Sequence, residues 1–329
     1  MATETDIDTE GAISSDEEHA HSHENMSPEE EHAHMIDNFK KAGKLTAKVR
    51  EDGKRLIVPG ESLFDVAESV EKFMAEAGIR MGFPANISLN NAAAHFTPEI
   101  GCETLLGEKD VVKLDIGGQV EGCVGDTACT IDLSDEWGKM AECTQAALAD
   151  AIALAKPGVA TSELGTAIEE RIKAAGFKPI ENLCGHKIEP YALHAGIDIP
   201  NVRTPPSYVL QEGDIFAIEP FATNGSGRVH DGTQVEIFSL VSGARVRMRQ
   251  SRQLLSHIAT QYFTLPFAER WLVPNFKSRL LLSSALKELL NAGALRPYPV
   301  LLDTPGSIVA QTEHTILIEH DSALVLTQP

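Results

Sequence analysis

The stretch Lys113-Leu114-Asp115-Ile116-Gly117-Gly118-Gln119-Val120-Glu121-Gly122-Cys123-Val124-Gly125-Asp126-Thr127 decides how the chain is read. It reads as two short strands joined by a tight, glycine-bearing turn, and a hairpin of that span carries Asp115 and Asp126 to one end of a sheet. Three further donors follow: His186 in Asn182-Leu-Cys-Gly-His186, Glu219 in Ala217-Ile-Glu219-Pro-Phe, and Glu313 in Ala310-Gln-Thr-Glu313-His-Thr. Taken singly, each acid reads as a solvated or structural residue and His186 as a satisfied core histidine, so spacing alone settles nothing. Taken together, four carboxylates cancel most of the charge on two divalent ions and leave a bridging water as the remaining ligand. Hard oxygen donors with one imidazole suit Mn, Fe, Co or Zn better than a thiolate-loving site. Two such ions about 3.5 to 4 Å apart share a hydroxide at neutral pH and polarise the carbonyl it attacks. Amide hydrolysis is the chemistry this donor set points to.

Outward from the hairpin, the chain repeats itself. Between Pro59 and Gly78, Leu63, Val66, Ala67, Val70, Phe73, Met74 and Ala77 recur at helical spacing; between Pro157 and Gly176, Leu164, Ala167, Ile168, Ile172 and Ala175 do the same. Each helix is followed by a strand bounded by acids, Asp110 to Asp115 and Asp214 to Glu219. Asp115 and Glu219 thus hold corresponding places in two halves. Halves paired about an approximate twofold axis would set these acids on facing strands and a metal site at the seam, with His95 and His194 each lent to the cleft.

Composition narrows the setting. The 329 residues allow one large domain or two ordinary ones. No apolar run reaches the length of a bilayer span and no signal-peptide pattern opens the chain, so a cytoplasmic protein is expected. Cys102, Cys123, Cys129, Cys143 and Cys184 form no CxxC pair, and their odd number points to reduced thiols. Net charge is −20, yet residues 1–34 hold eleven acids and no Lys or Arg, so the remaining 37 acids and 28 bases leave −9. Residues 1–35 therefore read as a disordered acidic tail. Its His19, His21, His23, His32 and His34 either hold a transition metal loosely or simply belong to a flexible arm. From about 248 to 296 the pattern is helical, with Leu254, Leu255, Ile258 and Tyr262 on one face and Leu280, Leu281, Leu286, Leu289 and Leu290 in a later run. Residues 241–300 carry nine Lys or Arg against two Glu. Such a basic surface suits either plain solvation or the RNA phosphates of a ribosome.

The motifs already quoted, together with Phe83-Pro-Ala-Asn-Ile-Ser-Leu-Asn-Asn-Ala-Ala-Ala-His95, Gly125-Asp126-Thr-Ala and His194-Ala-Gly, resemble the type II methionine aminopeptidases of archaea and eukaryotes from about residue 36 to the C-terminus. The resemblance implies an α+β pita-bread fold, with pseudo-twofold halves around a curved antiparallel sheet and a type II helical insertion. It implies Asp115 on one metal ion, His186 and Glu219 on the other, and Asp126 and Glu313 bridging both. Glu219 would also move the proton, His194 would stabilise charge on the carbonyl oxygen, and His95 would bond the scissile amide or its leaving nitrogen. Phe83, His95, Leu193, His194 and Tyr298 would form the substrate site. The expected activity is removal of N-terminal Met from nascent proteins before a small second residue, by a monomer.

Two rivals stay open. An aminopeptidase P or prolidase shares the fold and the five-ligand plan, although the short segment before the fold and the helical insertion speak against it. A non-catalytic member that binds partners or RNA would lose metal ligands, and none is lost here. Gly118-Gln119, Cys184 and Thr312 depart from the common pattern, which bears on fine substrate preference and oxidation sensitivity.

Overall fold

The structure, a computed structural model, describes residues 26–206, 208–276 and 278–329. The described residues up to Asp37 form one unit and Asn38–Pro329 another. Helix α1, Pro28–Lys54, starts inside the stretch expected to be disordered tail, which corrects the boundary at residue 35. The reason is local. The Ser27 amide donates to Glu30 Oε2 (2.7 Å), the Glu30 amide donates to Ser27 Oγ (3.3 Å), and Pro28 and three glutamates occupy the first turn. His32 and His34 are thus helical, whereas His19, His21 and His23 lie outside the described residues.

In chain order there follow α2 (Leu63–Glu76), β1 (Arg80–Leu89), β2 (Ala92–Ala94), β3 (Val111–Val120) and β4 (Cys123–Asp132). Then come α3 (Gly138–Leu154), α4 (Thr161–Ala174), β5 (Lys178–Pro179), β6 (Cys184–Lys187), β7 (Asp198–Pro200), β8 (Ile215–Ile218) and β9 (Phe221–Thr223). The chain closes with β10 (His230–Leu240), α5 (Arg249–Gln261), β11 (Phe267–Ala268), α6 (Glu269–Leu272), α7 (Arg279–Asn291), β12 (Leu295–Leu302), β13 (Val309–Gln311), β14 (Glu313–Ile318) and β15 (Ala323–Val325). The main sheet runs β1-β3-β4-β14-β8-β6-β7 with every described pairing antiparallel, and β15 pairs with β14. This mixed architecture of helices and curved antiparallel sheets is the α+β fold expected.

The duplication is visible in the backbone. Gly60 and Gly158 open the two repeats at φ 91° and 90°, and Gly78 and Gly176 close the helices at φ 77° and 87°. Gly60 N donates to Leu106 O and Gly158 N to Leu210 O; Gly107 N bonds Asp110 Oδ2 as Gln211 N bonds Asp214 Oδ2. Each half builds its own core. Leu63, Val66, Val70 and Met74 of α2 pack with Leu114 and Ile116 of β3, and Leu164, Ile168 and Ile172 of α4 pack with Phe216 and Ile218 of β8. The ligand acids do not sit on facing strands as expected: β4 and β14 stand between β3 and β8, and the two halves meet at the β4–β14 seam.

Strand alternation then fixes which side chains reach the cleft. Val112, Leu114 and Ile116 belong to the core, so Asp115 points to the other face. The strands of the hairpin are ten residues each, longer than expected, and the turn is Glu121-Gly122, both at positive φ, the geometry that matches strand twist. Gly117 lies within β3. A Cβ there would lie 2.2 Å from Phe83 Cε1, so the absence of a side chain makes room for that ring.

Helices α5 and α7 form a separate layer over β10, β11 and β12, sharing a core of Leu254, Ile258, Phe267, Leu282, Leu286 and Leu289. Leu280 and Leu281 belong to α7 but face solvent. Among the described residues no helix is long and apolar enough to cross a membrane.

Candidate metal centre

Five segments converge on one cavity lined by Asp115, Asp126, His186, Glu219 and Glu313 together with Phe83, Asn86, Ala94, His95, Leu193, His194, Ile237, Pro266 and Tyr298. Every sequence-derived ligand and substrate residue is in this lining. The hairpin register opposes Asp115 to Ala128 and Asp126 to Gly117, which makes the two acids diagonal neighbours on one face. His186 Nε2 lies 3.7 Å from Asp126 Oδ2 and 3.7 Å from Glu219 Oε1. Donor atoms of Asp126, His186 and Glu313 all fall within 4.8 Å of one another.

A cation fits this donor set on two grounds. Asp115 Oδ1, Asp126 Oδ1 and Glu313 Oε2 are buried without a hydrogen-bond partner, a cost that a shared ion removes. The acids also repel. Burial pushes the Asp115 carboxyl up to about 7, and burial plus mutual repulsion pushes Asp126, Glu219 and Glu313 well above the usual carboxylate range. Burial and the neighbouring His194 hold His186 neutral, as a metal ligand must be.

Sequence reasoning missed Gln311, fully buried on β13. Its Nε2 spans Asp115 Oδ2 (3.4 Å) and Glu219 Oε2 (3.3 Å), so one carboxamide holds one acid from each half. A signal existed, since Gln311 and Glu313 stand two apart in the quoted motif. Ile237 and Pro266 were missed for want of any local signal; Ile237 arrives opposite Tyr298 through the β10–β12 register.

The seam that carries Asp126 and Glu313 pairs only Glu313 with Ala128 and His314 with Thr127. Threonine hydroxyls supplement it. Thr127 Oγ1 donates to Glu313 O (2.9 Å), Thr315 Oγ1 donates to Asp126 O (2.9 Å) and accepts from Asp126 N (2.8 Å), and Thr130 Oγ1 bonds both Gln311 N and Gln311 O. Behind the sheet, buried Arg50 donates to Thr127 Oγ1.

His95 sits at φ 65°, a left-handed conformation costly for a side-chain-bearing residue, just past β2. Its Nδ1 is 3.2 Å from Pro299 O; a carbonyl only accepts, so Nδ1 carries the proton and Nε2 is left with its lone pair. The Tyr298 ring meets His95 edge-on at 5.5 Å, and His194 stacks on Tyr298 at 6.4 Å and lies tilted, at 4.2 Å, against His186. Burial pushes His194 down to about 4, so it is neutral at pH 7.

Residues 37–250 match the model of metallopeptidase family M24. The chain is 47% identical over 297 residues to a methionine aminopeptidase of Pyrococcus horikoshii, covering 89% of this chain and 99% of that protein. A solved methionine aminopeptidase of Thermotoga maritima superposes with TM-score 0.66 at 25% identity, covering 92% of this chain and 98% of that one. A Pyrococcus furiosus prolidase, 18% identical with TM-score 0.59 over 90% of this chain and 64% of its own, shares the fold. By its sequence and its architecture, this chain belongs to metallopeptidase family M24.

Proposed function

We propose that the chain is a methionyl aminopeptidase that removes N-terminal Met from nascent proteins and peptides, using two divalent ions from among Co, Mn, Fe and Zn. The observation that carries the reading is the convergence of five ligand side chains with an apolar wall of Phe83, Leu193, Ile237, Pro266 and Tyr298 in one cavity. The relative at 47% identity bears the same activity in its name. Asp115 would hold one ion, His186 and Glu219 the other, and Asp126 and Glu313 both. Bound there, the ions supply an activated water at neutral pH and polarise the scissile carbonyl.

The chain's own residues do the rest. Glu219, steadied by Gln311, passes a proton from the attacking water to the leaving amine. Neutral His194 donates to the carbonyl oxygen as charge develops there, a contact whose loss typically costs about 10² to 10³ in kcat. The His95 Nε2 lone pair accepts from the scissile N–H. An unbranched, polarisable Met side chain suits an apolar pocket walled by aromatic rings. Crowding of Tyr298, His95 and His194 at the cavity favours a small second residue.

Cytoplasmic residence and a monomeric state are part of the same proposal. So is ribosome contact, for which the support is the outward exposure of Arg245, Arg247, Arg249 and Arg252; co-sedimentation unaffected by neutralising all four would remove that part.

The test of the reaction is Met release from Met-Ala-Ser by metal-stripped protein reloaded with each ion. Rescue is expected in the wild type and not in Asp126→Asn or Glu313→Gln. Cleavage of X-Pro dipeptides with no action on Met-Ala-Ser would hand the site to the proline-directed relatives.

A further inference from the structure

Asn86 is the one uncharged polar side chain in the cavity wall to which no part of the reaction has been assigned. It is 4% exposed, and the β1 strand is irregular between Phe83 and Asn86, a shift that brings both side chains to the same cavity. Asn86 Nδ2 donates to Pro84 O (3.0 Å), which identifies the other end of the carboxamide as the oxygen. Asn86 Oδ1 is buried and has no hydrogen-bond partner. A buried acceptor left unpaired costs about 1–3 kcal/mol, so a donor at this place has a ready partner.

The neighbouring residues supply no such donor. Asn86 is the cross-strand partner of Asp115, whose carboxylate only accepts once ionised. His95 has committed its ring proton to Pro299 O. Phe83, Ala94, Leu193, Ile237 and Pro266 offer no side-chain N–H or O–H. No group of the structure bonds Asn86 Oδ1, so a donor carried by the occupant can take that place. The free α-amine of a peptide terminus carries two hydrogens beyond the lone pair it would give to a cation held by Asp115, the residue directly across the strands from Asn86.

We infer that Asn86 Oδ1 accepts a hydrogen bond from the α-amine of the terminal residue, so that Asn86 is a substrate-binding residue that selects a free amino terminus. The inference rests on the aminopeptidase reading above. It goes beyond that reading by making amine selection a property of a neutral side chain on β1 as well as of the metal ions.

Calorimetric titration of full-length, Mn-loaded protein with methionine and with 4-(methylthio)butanoate, which lacks only the amine, tests it. In Asn86→Leu, methionine is expected to bind about tenfold more weakly while the amine-free analogue binds as in the wild type. Asn86→Asp, which keeps an acceptor oxygen, is expected to retain discrimination between the two ligands; if Asn86→Leu does not fold, Asn86→Ala makes the same comparison. Equal weakening of both ligands would reduce Asn86 to a packing role, and a fall in bound Mn by elemental analysis would make it a metal ligand; either result overturns the inference. Wild-type protein that loads Mn yet binds neither ligand would overturn the aminopeptidase reading and this inference with it, a result distinct from the other two.

Discussion

The two halves of the main sheet reach the same cavity by different means. In the first half, β3 and β4 are paired over ten residues from Val111–Asp132 to Val120–Cys123, and one turn connects Asp115 to Asp126. In the second, His186, Glu219 and Glu313 come from three segments, β6 and β8 share two residue pairs, and β14 joins β4 through two more. The hairpin holds its ligands through its own backbone ladder. The returning half depends on the threonine hydroxyls at the seam and on Gln311, which ties Glu219 to Asp115 of the hairpin.

Removing the metal should break this contrast most strongly. Burial raises the folded-state pKa of Asp115 to about 7, above the unfolded value of about 3.9. Its contribution to the stability of stripped protein is therefore fully present below about pH 4 and is lost as pH rises through 7. The stripped protein should melt lower at pH 8 than at pH 5.5, by on the order of 10 °C, with amides of β8 and β14 exchanging faster than those of β3. Thermal unfolding and hydrogen exchange of stripped and reloaded protein check both; uniform exchange across the sheet would erase the distinction between the halves.

A smaller effect is expected from Thr315→Val. This change leaves Asp126 N and Asp126 O without their Thr315 bonds inside the sheet. Stability should fall by about 2–3 kcal/mol, with a lower kcat for Met-Ala-Ser because Asp126 is no longer held in register with Glu313. Denaturant midpoints and steady-state kinetics measure the two, and an unchanged midpoint would show that the two-pair ladder suffices. The smallest effect belongs to the helical layer. Leu280 is 76% exposed on α7, so Leu280→Gln should shift stability by no more than about 0.5 kcal/mol and leave turnover unchanged; a clear loss of activity would give that layer's outer face a role the site does not require.

What could be read in advance follows the same division. The hairpin was legible because strand alternation and a short turn act within a few residues, although each strand runs to ten residues where short ones were expected. The repeat was legible because Gly60, Gly78, Gly158 and Gly176 mark backbone positions of positive φ. The start of α1 was missed because the acid-rich composition outweighed the Ser27-Pro28 and Glu30 capping signal. Asn86, Ile237 and Pro266 carried no local mark of a site, since a cavity wall is a property of packing between segments.

Sequence alone determined the donor chemistry, the duplicated helix-and-strand unit and the family to which these motifs point, because each depends on residue type at short spacing. Only the tertiary structure decided that β4 and β14 form the seam, that threonines secure it, that Gln311 spans the two halves and that Asn86 keeps an unpaired acceptor. Those outcomes depend on register between strands up to nearly two hundred residues apart in Thr315 and Asp126, and long-range register is set by the packing of both cores against one sheet.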